Sequence, residues 1–212
     1  GKSVEMMKSN KTTAAFWKII GIVEPLILAS SSPRRSALLQ VIGIPFEVVI
    51  PQPDGEDYDP WDDGDLLLNR AVQKAQSVRN LHPNRMILAA DTVVVVDDRV
   101  LGKPADDADA ERMLSMLSGR SHDVYTALCL FFGGRRPQRL DICRTRVTFK
   151  KLDPAWIRAY LQSGEPMDKA GAYGIQGLGG LWIDSIQGCY FNVVGLPLSL
   201  LWDFLTSGEE DE

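Results

Sequence analysis

The chain has 212 residues, 24% charged and 45% hydrophobic, with 28 acidic against 23 basic side chains and a net charge of −5. That length holds one substantial core or two lobes sharing a sheet, and the negative balance argues against broad binding to nucleic acid or to an anionic membrane surface. Three well-separated cysteines, Cys129, Cys143 and Cys189, form no C-x-x-C pair and no even-numbered framework, so neither a disulfide scaffold nor a structural zinc site is expected and a reduced, cytoplasmic setting is the simplest reading.

The chain begins with an extension, residues 1–24, whose apolar stretch "AAFWKIIGIV" is interrupted by Lys18 and is too short for a membrane span. It reads as a mobile arm or an added helix. Leu26 to Ala29 is a short apolar run of strand length, and Ala37, Leu38, Leu39, Val41 and Ile42 recur at helical spacing before Gly43. Ser31 or Ser32 suits the N-cap, Pro33 the first helical position and Gly43 the C-terminal stop. Acids favour the first turn of a helix, yet Arg34 and Arg35 stand there. An anionic ligand removes that mismatch, because free amides, serine hydroxyls and two guanidinium forks together make a phosphate site. The plainer alternative is two solvated arginines.

"PFEVVIPQ" reads as a strand, "PDGEDYDPWDDGD" as an acidic loop that either binds metal or is simply solvated, and Leu66 to Arg79 as a helix. "MILAA" and the β-rich "DTVVVVDDRVLGKP" follow, with Asp97 and Asp98 at a turn, then a helix over Asp106 to Leu117 and a strand within "SGRSHDVYTALCLFF". After these come the strand "RTRVTFKKL", a helix from Pro154 to Ser163, the glycine-rich segment from Gly164 to Gly188, a last helix from Pro197 to Leu205 and an acidic tail over residues 207–212. Alternation of this kind implies an α/β fold with a mixed sheet. "LILAS" and "MILAAD" each end in small residues before polar chemistry, as two strands opening into one cleft would.

Asp91, after five apolar residues, is expected at a strand end, either as a presented carboxylate or as a turn residue. Lys74, Lys103, Lys150, Lys151 and Lys169 are scattered cations, each read alone as a surface residue. Only His82 and His122 are available to a serine hydrolase, and neither a G-x-S-x-G elbow nor a G-x-x-x-x-G-K-[ST] loop occurs. A serine/arginine turn, a carboxylate and lysines remain, the equipment for metal-assisted hydrolysis of a phosphoanhydride by water.

The segments "LASSSPRRSALLQVIGIPFEVV", "ADTVVVVDDRVLGKP", "ERMLSMLSGRSHDVYTALCL", "SGEPMDKAGAYGIQGLGG" and "YFNVVGLPLSLL" resemble, in the same order, the Maf family of nucleoside triphosphate pyrophosphatases. The resemblance spans residues 25–206. It implies an elongated α/β fold with two lobes around a cleft, related to the inosine triphosphate pyrophosphatases, and commonly a homodimer. It also implies cleavage of a nucleoside triphosphate to monophosphate and pyrophosphate with a divalent metal, Mg²⁺ or Mn²⁺. On the matching positions Ser30, Arg34 and Arg35 would hold phosphates, with Lys169 a further cation on the substrate. Lys74 and Lys103 would neutralise charge, and Asp91 would accept the proton of the attacking water. Thr92, Gln176 and Arg34 fall where the family sets base preference. "ADT" and "GIQG" resemble the branch acting on dTTP and UTP, which suits the chemistry of a carboxamide, one donor and one acceptor against a pyrimidine edge. The family's usual glutamate after the "FEVV" strand is replaced by Gly55, so Asp54 or Glu56 would join Asp91 at the metal. The family's historical link to septum formation implies an alternative role as a nucleotide-binding regulator.

Overall fold

A computed structural model describes residues 13–52 and 58–208. A helix over residues 13–19 (α1) precedes β1 (Leu26–Ala29), α2 (Pro33–Ile42), β2 (Phe46–Val48), α3 (Asp65–Arg79), β3 (Ile87–Val96) and β4 (Arg99–Leu101). Then follow α4 (Asp107–Leu117), β5 (Ser121–Phe131), β6 (Arg139–Phe149) and α5 (Pro154–Gln162). Three short 3-10 turns, Glu165–Asp168, Ala170–Ala172 and Leu178–Trp182, lead to β7 (Ile183–Gln187), α6 (Tyr190–Val194) and α7 (Leu198–Thr206). The seven strands form one mixed sheet in the order β2-β1-β3-β5-β6-β7, with β4 also paired to β3.

Helix ends follow local chemistry. The Ser32 side chain accepts the Arg35 N–H to cap α2, Pro33 occupies its first turn, and Gly43 closes it at φ 64. Asp106 and Asp153 cap α4 and α5 in the same way. Within the N-terminal extension Trp17 is buried, and its indole N–H donates to the Ile42 carbonyl at 2.8 Å, fixing α1 against the end of α2.

The core divides into three clusters, and the division positions the cleft. On the α3 face of the sheet, Ile87, Ala89, Val93, Val95, Ala127, Cys129 and Phe131 pack on Leu67, Ala71, Ala75 and Val78. On the opposite face there are two clusters. Leu88, Ala90, Leu128 and Leu130 pack with α2 and α7 residues, whereas Val94, Val96, Val124, Val147 and Phe149 pack with α4 and α5 residues. Between them the apolar alternation is broken once. In the β3–β5 register Ala90 faces Leu128, Thr92 faces Thr126 and Val94 faces Val124. A polar seam therefore separates two lobes that share the long strands.

Strand length opens the sheet at the same level. β1 pairs with β3 only as far as Ala29 opposite Ala89, and β4 begins opposite Val94, both on the edge of β3 not taken by β5. Among the described residues, the stretch Ala90–Val93 has no neighbouring strand on that edge. Here the structure corrects the placement of Asp91, which lies in the middle of a ten-residue strand and is 7% exposed. Its polarity marks the gap in pairing on that edge and not the end of β3.

Candidate active site

A cleft of about 700 Å³ lies over this gap, and Ser30, Arg34, Arg35, Lys74, Asp91, Thr92, Lys103, Lys169 and Gln176 all line it. Glu56 and Asp54 lie outside the described residues. Arg34, Arg35, Lys74, Lys103 and Lys169 face three lining carboxylates, Asp91, Glu165 and Asp168, so the cleft is locally basic in a chain of net charge −5. Such a field draws in anions.

The two adjacent arginines are not equivalent, and neither is a solvated surface residue. Arg35 is 9% exposed; its Nε donates to the Gly195 carbonyl at 2.7 Å, and its terminal nitrogens donate to Ser30 Oγ at 3.3 Å and Thr92 Oγ1 at 3.0 Å. Thr92 Oγ1 also lies 2.8 Å from Thr126 Oγ1, so Arg35 and the two threonines form the polar seam. A buried guanidinium is tolerated because several of its donors are met. Asn192, fully buried on α6, completes the layer by donating to the Val124 and Cys143 carbonyls at 3.1 and 3.2 Å. Arg34, by contrast, reaches across the cleft to Asp168 Oδ2 at 2.9 Å and to the Asp168 carbonyl at 3.2 Å.

Asp168 is shared. Lys169 Nζ donates to its Oδ1 at 2.7 Å and to the Glu165 carbonyl at 2.7 Å. Partial burial would raise the Asp168 pKa, but the hydrogen bonds from Lys169 and Arg34 outweigh it and hold the carboxyl below its usual range. Lys103 is exposed and makes no hydrogen bond or ion pair among the described residues.

Asp91 receives two donors. Lys74 Nζ, from the middle of α3, lies 3.2 Å from its Oδ1, and the Tyr58 hydroxyl donates to its Oδ2. A carboxylate has about four lone-pair sites, so capacity for a further proton donor remains. Sequence reasoning missed Tyr58, Glu165 and Asp168; an aromatic inside the acidic loop and the two acids of "GEPMD" were the available signals.

Gln176 lies exposed at the rim, on the turn between Gly174 and Gly177. Behind that turn Tyr173 is buried, and its hydroxyl sits 2.6 Å from His122 Nε2. Burial pushes the His122 pKa down to about 3, so this imidazole is neutral at ordinary pH and stands in the wall, away from the cleft's chemistry.

Taken together, the cleft can hold a polyanion against cations on both walls, with one carboxylate at the floor beside a strand edge. Similar proteins carry a matching description. A dTTP/UTP pyrophosphatase of Symbiobacterium thermophilum is 48% identical over 184 residues, 87% of this chain and 94% of that protein. Those of Syntrophomonas wolfei and Bacillus cereus are 48% and 42% identical, each over 84% of this chain and over 94% and 87% of their own lengths. Among solved structures, the Staphylococcus aureus Ham1 protein aligns with a TM-score of 0.44 and 14% identity, covering 59% of this chain and 72% of that one. The model of the Maf-like proteins matches residues 25–208, from β1 to the last helix, and the chain belongs to that family.

Proposed function

We propose that this protein hydrolyses dTTP and UTP to the monophosphate and pyrophosphate, with Asp91 accepting the proton of the attacking water. The observation that carries the reading is Asp91 at the unpaired edge of β3, held by Lys74 in a cleft lined by five cations. Relatives with this description at 42–48% identity support it. They do not favour the regulator reading.

Phosphates would lie across the α2 turn. Arg34, Lys103 and Lys169 balance their charge from the two walls, while Ser30 and Arg35 fix the floor through their mutual hydrogen bond. Lys74 orients Asp91 and adds charge near the developing oxyanion. Gln176 at the rim presents a donor and an acceptor to the pyrimidine edge, with Arg34 nearby in the lining and Thr92 committed to Arg35 behind it.

A divalent cation belongs to this proposal. No group of three His, Cys, Asp or Glu side chains suited to a metal occurs among the described residues. One carboxylate facing the phosphate side fits an ion that arrives largely coordinated by the triphosphate, as Mg²⁺ commonly does. Asp91 would hold it, with Glu56 as the second candidate; bound there it would withdraw charge from the phosphate oxygens. No described helix is long and apolar enough to cross a membrane. A cytoplasmic homodimer completes the reading, and the free state of all three cysteines supports a reducing compartment.

The test is pyrophosphate release from dTTP, UTP, CTP, ATP, GTP and 7-methyl-GTP, with Mg²⁺ and with Mn²⁺. Preference for dTTP and UTP by at least tenfold in kcat/KM is expected. Equal turnover of all six, or none, overturns the reading.

A further inference from the structure

Gln176 is exposed at the rim of the cleft and makes no hydrogen bond of its own among the described residues, so the turn that carries it fixes the point from which its side chain enters the cleft. Two side chains outside that turn hold the backbone. Tyr160, from α5, accepts the Gly174 N–H at 3.1 Å and donates its hydroxyl proton to Glu165. Glu165 in turn accepts the N–H groups of Leu178 at 2.9 Å and Gly179 at 3.1 Å. The grip falls two residues before Gln176 and two and three residues after it.

The approach is close enough to dictate the sequence of the turn. A Cβ on Gly177 would lie 1.7 Å from Glu165 Oε1, and one on Gly179 would lie 2.6 Å from the Gly174 carbonyl oxygen and 2.9 Å from the Tyr160 hydroxyl. The carboxylate stands where a side chain at 177 would be, and the Gly174 carbonyl together with the phenol fills the space at 179. Tyr160 is 3% exposed and packs edge-on against Trp182 with ring centroids 4.8 Å apart, so the phenol is itself fixed. Burial and the Glu165 acceptor push its pKa up, which keeps the donated proton in place. Both Glu165 oxygens are taken by these N–H and O–H donors, leaving its backbone carbonyl to Lys169.

We infer that Tyr160 and Glu165 are positioning residues for base discrimination, a phenol–carboxylate clamp that fixes the turn bearing Gln176. The inference rests on the assignment of Gln176 to the base. It predicts that loosening the clamp changes which nucleotide is preferred while leaving the phosphate half of the cleft alone.

The experiment compares wild type with Tyr160→Phe, Glu165→Gln and Gln176→Ala. For each, kcat and KM are measured with UTP and GTP, together with the inhibition constant of inorganic tripolyphosphate against UTP. Tyr160→Phe removes one hydroxyl and keeps the ring against Trp182, so it carries the test should Glu165→Gln fail to fold. In both clamp variants kcat/KM for UTP should fall about 5- to 50-fold and that for GTP less than about 2-fold, and in Tyr160→Phe, which leaves the charge of the cleft as it is, the tripolyphosphate constant should stay within about 2-fold. Adding Tyr160→Phe to Gln176→Ala should lower the UTP-to-GTP ratio no further. A ratio that collapses in Gln176→Ala but stays at the wild-type value in both clamp variants overturns the inference alone. If tripolyphosphate binding weakens in step with UTP, the clamp supports the whole cleft and the inference is likewise overturned. A ratio that Gln176→Ala itself leaves unchanged overturns the Gln176 assignment, and the clamp's role with it.

Discussion

Lys74 Nζ lies 3.2 Å from Asp91 Oδ1, the lysine presented by α3 and the aspartate by the stretch of β3 between β1 and β4. Both side chains are largely shielded, at 13% and 9% exposure. The pair is thus an oriented carboxylate at a site with little competing water. Asp91→Asn keeps the shape and removes the proton acceptor. We expect kcat for UTP to fall about 10²- to 10⁴-fold with KM changed little, measured by pyrophosphate release. A variant retaining near wild-type kcat would place the base elsewhere.

The adjacent arginines should separate by phenotype. Arg35→Ala empties a buried guanidinium site and removes its hydrogen bonds to the Gly195 carbonyl, Ser30 Oγ and Thr92 Oγ1, and we expect a loss of about 2–4 kcal/mol in urea unfolding. Arg34→Ala removes only a partly exposed pair, so stability should change by less than about 1 kcal/mol, while KM for UTP rises roughly tenfold through the lost charged hydrogen bonds. Equal effects of the two changes on unfolding would contradict the geometry.

Asp168 occupies Arg34 and Lys169, two cations that would bind the triphosphate on the proposed reading. With Asp168 55% exposed, its bond to Arg34 is worth about 0–1 kcal/mol, less than the charged hydrogen bonds a phosphate would make in its place. Entry of substrate should therefore displace it. Asp168→Asn is expected to lower KM for UTP by up to about 5-fold and to tighten inhibition by pyrophosphate, both read from steady-state kinetics at constant salt. A rise in KM would show that Asp168 orients Arg34 and does not compete for it.

His122 makes stability depend on pH. Its folded pKa of about 3 lies below the ordinary value of 6.5, so between these limits the unfolded chain binds the extra proton. Stability is then fully present above about pH 6.5 and is lost as pH falls toward 3, at up to about 1.4 kcal/mol per unit. From pH 7 to pH 5 this amounts to about 2 kcal/mol. Urea unfolding of wild type at the two pH values should show that loss, and His122→Gln should flatten it; identical slopes would assign the dependence to other groups.

How far the sequence disclosed this arrangement depended on the range over which each signal acts. β1, β5, α2, α3 and α4 are written in local runs of apolar or β-branched residues and were legible, with the caps of α2, whereas β3 was read as two runs divided at Asp91. β7, "IDSIQ", is short and largely exposed, and α6 has five residues, too few to show a helical period. β6 starts at Arg139, five residues before the expected strand "RTRVTFKKL", because its first half pairs with the far end of β5 while carrying only charged and half-buried residues. Asp91 seemed to end a strand because nothing local shows that β1 stops two residues earlier. The partners of the site are more distant still. Tyr58 meets Asp91 across 33 positions and Arg34 meets Asp168 across 134, separations that only the folded sheet closes.

The bare stretch of β3 has a second consequence, for association between molecules. Four residues of strand with no strand partner on one side among the described residues leave about 13 Å of backbone edge unpaired, the feature by which sheets recruit strands from neighbouring chains. Here that stretch is not at the rim of the sheet but walled by β1 on one side and β4 on the other, with Ala90 and Val93 at 0% and 1% exposure. An incoming peptide would need a longer free margin than the walls allow, whereas a small polyanion does not. The same interruption that would admit a nucleotide on the proposed reading therefore denies a template for aggregation, and β1 would have to run four residues further, past Ala29, to complete the sheet along this edge.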